Sequence, residues 1–93
     1  MTKKEFESLK EKQLLTIRNQ KGLIIEILHF SQWIELHHHN YNGEDYYYLG
    51  IALQPRLENV SKTTESDIIA YYKRKKAFFE KQLNNILELK KDL

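Results

Sequence analysis

The sequence predicts a single α+β domain, a two-layer arrangement of an N-terminal helix, an antiparallel β-hairpin or three-stranded meander, and a long C-terminal helix. Three observations lead there. Phe6, Leu9, Leu14 and Ile17 fall within one arc of about 140° at helical spacing. Apolar residues between Ile69 and Leu93 alternate by three and four. Between these segments lie a run of branched residues and an Asn-Gly pair. At 93 residues the chain has room for one hydrophobic core, so residues 1–93 are read as one domain.

Taken in order, Thr2 with Glu5 three residues later has capping-box spacing, and residues 3–20 read as an amphipathic helix. Gly22 suits the left-handed position that ends such a helix. The run Leu23-Ile24-Ile25-Glu26-Ile27-Leu28-His29 reads as a buried strand over about 23–29. No Gly, Pro or Asn punctuates Phe30 to Trp33, which leaves open whether the chain turns there, bulges or continues as helix.

Asn42-Gly43 is the strongest local signal, because a type I′ turn needs positive φ at both central residues. It predicts a hairpin of strands about 33–39 and 46–53, with Tyr41 opposite Glu44, His39 opposite Tyr46, His37 opposite Tyr48, Leu36 opposite Leu49 and Ile34 opposite Ile51. One face then carries Ile34, Leu36, Leu49, Ile51 and Leu53 and is expected to be core. The other carries Trp33, His37, His39, Tyr46 and Tyr48. Pro55 cannot donate to a ladder and should end the strand, and Glu58 to Lys62 read as a loop. Thr64 with Asp67 resembles a cap before a helix over 65–91. Its stripe, Ile69, Tyr72, Lys76, Phe79, Leu83 and Ile86 continuing to Lys90 and Leu93, is expected to pack on the sheet rather than form a dimeric coiled coil.

Composition narrows the function. The chain is 41% hydrophobic with three Gly and one Pro, too apolar and too free of breakers for a disordered or low-complexity segment. It has no cysteine, which removes disulfides, thiolate metal sites and Cys nucleophiles and fits a reducing compartment. No apolar run approaches a membrane span, and the mixed-charge start is unlike a signal peptide, so a cytoplasmic protein with no membrane partner is expected. The net charge is only +2, with basic ends and an acidic middle that holds all four histidines.

His37 and His39 share a strand face, and with Glu44 they are the weak candidates for a metal site. His37-x-His39 followed by Glu44 and Gly50 is similar to the first cupin motif, but the second motif is missing and a cupin barrel exceeds this chain. Tyr48-Leu49-Gly50 with Arg56 is similar to the second half of the GIY-YIG nuclease signature, over a handful of residues. The serines lack a nucleophile elbow and the glycines lie far apart, so no catalytic residue, cofactor or enzyme activity is expected. Lys73, Arg74, Lys75 and Lys76 follow Tyr71-Tyr72 and, with Lys62, form the candidate surface for nucleic acid, the alternative reading.

The favoured reading is a small, non-enzymatic, intracellular protein-interaction module, of the kind found among bacterial and phage accessory proteins that inhibit or modulate a host factor. Trp33, His37, His39, Tyr46 and Tyr48 would meet a protein partner if both helices cover the aliphatic face, and would be core if one helix covers each face. The C-terminal helix is the second candidate surface, and a homodimer the second kind of partner.

Overall fold

The computed structural model describes residues 1–91, with side chains through Leu89. The class is α+β: α1 Lys3–Glu7, β1 Leu14–Arg18, β2 Ile24–His29, β3 Leu36–Tyr41, β4 Glu44–Leu49, a 3-10 turn Leu57–Asn59, β5 Val60–Lys62 and α2 Glu65–Lys91. The strands form two antiparallel sheets, ordered β2-β1-β5 and β3-β4.

The N-terminal helix is far shorter than expected. Thr2 and Glu5 form the capping box, with Glu5 N–H donating to Thr2 Oγ1 at 3.1 Å and Thr2 N–H to Glu5 Oε1 at 3.2 Å. The helix stops at Ser8, whose hydroxyl donates to the Glu5 carbonyl at 2.7 Å, and Lys12 adopts positive φ. Residues 14–18 are a strand instead. Leu14-Leu15-Thr16-Ile17 carries strand-forming residues, and β1 is the central strand between β2 and β5, with Leu15, Thr16 and Ile17 all buried. The spacing of Leu14 and Ile17 fits a helix face, but burial on both faces of a central strand outweighs it. Gly22, at φ 86°, therefore turns the β1–β2 hairpin, where Asn19 Oδ1 accepts from Lys21 and Leu23 N–H.

The second hairpin has the expected register, from Tyr41–Glu44 through His37–Tyr48 to Leu36–Leu49, around Asn42 and Gly43, both with positive φ. The ladder ends there, so Ile34 and Ile51 are not a strand pair, and β4 stops at Leu49 rather than 53. Gly50 N–H still donates to the Glu35 carbonyl at 2.8 Å, but the chain then turns over Ile51–Gln54, where Gln54 N–H donates to the Ile51 carbonyl at 2.9 Å and Gln54 has positive φ, and folds back so that Leu49 N–H donates to the Pro55 carbonyl and Arg56 bridges Tyr48. Leu53 is consequently exposed, whereas Ile34 and Leu49 are buried as expected. Residues 58–62 are not a loop: the 3-10 turn delivers Val60 to β5, which pairs with β1.

One core joins the two sheets. Leu15 and Ile17 from β1, Leu49 from β4, Leu57 and Val60, with Phe30 and Ile34 from the connection, form the buried cluster. Phe6 of α1 closes it, edge-on to Phe30 at 5.6 Å.

The long helix does not lie on a sheet. Its first turn docks on β1 through Asp67, and Tyr71 and Arg74 carry the contact one and two turns further to β2, where Tyr71 Oη donates to Glu26 and Arg74 to the Ile24 carbonyl. Beyond that the helix leaves the body, and every described residue from Tyr72 to Leu89 is exposed. The molecule measures 56 × 32 × 24 Å, and its radius of gyration of 17.3 Å exceeds the roughly 12 Å of a compact chain this long. Leu93, the last residue of the expected stripe, lies outside the described residues.

Candidate functional site

Three surfaces carry the candidate residues. The largest is α2. Thr64 caps it, accepting from Asp67 N–H at 3.1 Å, and Asp67 in turn accepts from Thr64 N–H. At 100° per residue, Ile69, Tyr72, Phe79, Leu83, Ile86 and Leu87 share an arc of roughly 100°. Each of these side chains is about half exposed or more, Phe79 reaching 63%. Asp67, Tyr71 and Arg74 lie on the opposite side of the helix, against the body. The expected stripe, widened by Leu87, is therefore a continuous outward row; of the apolar residues that its periodicity passed over, Leu89 borders the row beside Ile86 and Phe78 is exposed on the Tyr71 side of the helix. Their signal was available, since two further apolar residues on a helix already carrying a full stripe exceed what one packing face uses.

The basic run is drawn into the helix's own anchoring. Arg74 serves the Ile24 carbonyl, and Lys75 sits 4.4 Å from the Tyr71 ring centre. The Tyr71 side chain also raises the Lys75 pKa. Lys76 pairs with Glu80 at 3.9 Å on the helix surface. Lys73 and Lys62 are exposed on separate elements. The five cations do not form one basic face.

The second surface is the β3–β4 hairpin. The register brings His37, His39, Tyr46 and Tyr48 to one face, with His37 and Tyr48 ring centres 5.4 Å apart and His39 and Tyr46 the same distance. Arg56, brought there by its bridge to Tyr48, lies 4.3 Å over Tyr46, and Gln54 completes a shallow pocket of about 240 Å³. Sequence reasoning named Arg56 only beside Tyr48-Leu49-Gly50 and did not bring it to this face, because its placement depends on the fold-back after Gly50. Tyr46 and Tyr48 are half buried beneath these neighbours, so this face offers stacked ring edges rather than open apolar area.

Trp33 is not part of that face. It sits in the turn before β3, 69% exposed, and lines an apolar groove of about 330 Å³ with Leu28, Ile34, Ile51 and Leu53. This third surface is small and shallow.

The metal candidates do not converge. His37 Nε2 faces Glu35 at 3.6 Å and His38 faces Asp45 at 3.1 Å, while Glu44 lies 3.9 Å from Arg56. Among the described residues no three His, Cys, Asp or Glu side chains come together with metal-binding geometry. No helix among the described residues is long and apolar enough to cross a membrane.

Comparison with protein-family models, curated proteins and solved structures gives no match.

Proposed function

We propose that the protein is a non-enzymatic protein-interaction module whose recognition element is the projecting part of α2. The observation that carries this reading is the row of large apolar side chains from Tyr72 to Leu89, exposed along a helix that nothing else in the described chain covers. Monomeric proteins rarely leave so long an apolar surface in water. Half-burying six such side chains on a partner is worth on the order of 5 kcal/mol. The helix itself needs that contact. Helices in proteins draw most of their stability from packing rather than from propensity, and this one contains Phe78-Phe79 and Asn84-Asn85, poor helix formers.

The nucleic-acid reading gains less support, because Arg74, Lys75 and Lys76 already have partners within the chain. The hairpin face and the Trp33 groove are secondary contacts in this scheme.

The test is a photo-crosslinking amino acid placed at Phe79 and, as control, at Glu58 on the body, in the full chain produced in its native host. Crosslinks to protein are expected at Phe79, absent at Glu58, and lost when Leu83→Glu is added. Equal crosslinking at both positions, or none at Phe79, refutes the reading.

A further inference from the structure

We infer that the protein docking on α2 is a second copy of this chain, arranged as an antiparallel helix pair across a two-fold axis midway between Lys76 and Phe79. The inference rests on the reading of α2 as a recognition helix and names its partner.

The exposed row has the spacing of a two-stranded seam, with Ile69, Tyr72, Lys76, Phe79, Leu83 and Ile86 separated alternately by three and four residues. A two-fold axis demands a surface complementary to itself. Laid antiparallel about that midpoint, Ile69 meets Ile86 of the second copy, Tyr72 meets Leu83, and Lys76 meets Phe79, each pair occurring twice. The outer four layers are then apolar on both sides, and in the two central ones the Lys76 stem lies along the Phe79 ring. On the flanks, Lys73 of one copy faces Glu80 of the other, and Leu89 faces Ile68. The charges and the apolar flanks both match.

A parallel pair in register fits worse. It would set Lys76 directly against Lys76 in one layer of the seam, whereas the antiparallel pair offsets the two lysines by about 4.5 Å along the axis and gives each a Phe79 ring. Sterically, the antiparallel pair is open to the molecule as it stands. The seam lies on the side of α2 opposite Asp67, Tyr71 and Arg74, so a second helix approaches without displacing the body. The bodies end up at opposite ends of the helix pair.

Because the chain contains no cysteine, single-cysteine variants give an unambiguous test. Tyr72→Cys and Leu83→Cys chains, mixed and oxidised, should form the mixed disulfide readily, while neither alone should, since like positions lie roughly 16 Å apart along the axis. Light scattering of the wild-type chain at micromolar concentration should give a dimer. Glu80→Lys should weaken it at least tenfold, and Lys73→Glu combined with Glu80→Lys should restore it. Rapid homodisulfides at both positions would overturn the antiparallel arrangement. A monomer at 100 µM would overturn self-association, and crosslinking of Phe79 to a different protein would then leave the recognition helix standing with another partner.

Discussion

Arg18 of β1 donates to the Asp67 carboxylate of α2 at 2.6 Å, and Thr16, two residues earlier on the central strand, donates to the same carboxylate at 3.0 Å. Asp67 thus does two jobs, capping the helix with Thr64 and clamping its first turn to the sheet. With the first turn held and Tyr71 and Arg74 seated on β2, the direction of the helix is set, and the rest of it points into solvent. The exposed seam is a consequence of that clamp.

The clamp should be visible in the pH dependence of stability. Burial alone would raise the Asp67 pKa, but the hydrogen bonds from Thr64 and Thr16 and the Arg18 guanidinium outweigh it and hold the carboxyl below its usual value of 3.8. A lowered folded-state pKa contributes stability above the unfolded value, and that contribution is lost as pH falls through the folded one. Asp67→Asn should therefore cost about 2 kcal/mol at pH 7. Urea denaturation of both chains from pH 7 to pH 2 should show the difference shrinking at the acid end. A constant difference would assign the effect to packing.

Trp33 and Leu49 should separate surface from core. Leu49 is fully buried between the two sheets, so Leu49→Ala should destabilise by about 3 kcal/mol. Trp33, mostly exposed, should tolerate Ala with a change below about 1 kcal/mol despite losing a far larger side chain. Thermal melts at equal concentration check both, and an unfolded Trp33→Ala chain would place that residue in the core.

Helix content should depend on protein concentration. Residues 72–89 are exposed in the single chain, and in the proposed dimer they would be covered, so ellipticity at 222 nm should rise on going from about 1 to 100 µM and level off. Phe79→Glu should flatten that rise and leave the near-ultraviolet signal of the body intact. Concentration-independent ellipticity in wild type would contradict a partner-stabilised helix.

Two glycines should respond to alanine for different reasons. At Gly43 there is open space, but φ is 81°, so the substitution should cost about 1–2 kcal/mol through backbone strain. At Gly50 a Cβ would lie 2.5 Å from His37 Nε2, so the imidazole must leave its place beside Tyr48. The His37 ring resonances should shift on Gly50→Ala and stay put on Gly43→Ala, a contrast that proton NMR reads directly.

Local chemistry determined much of this molecule. Asn42-Gly43 sets the hairpin turn and, with strict alternation, its register. Thr2 with Glu5, and Thr64 with Asp67, mark both helix starts. Those features act over a few residues, and a single chain displays them.

Tertiary contact decided the rest. Leu14 to Arg18 satisfies a helical period as well as a strand pattern, and only pairing with β2 and β5 on both edges resolves it. Val60 to Lys62 is too short to announce itself and becomes a strand because β1 has an open edge. Arg56 joins the tyrosines only after the chain folds back beyond Gly50. The apolar stripe of α2 was legible residue by residue, but periodicity reports that a face seeks cover and is silent on what covers it. Asp67 and Arg18 fasten the helix by its first turn, so the body of this chain does not cover the stripe.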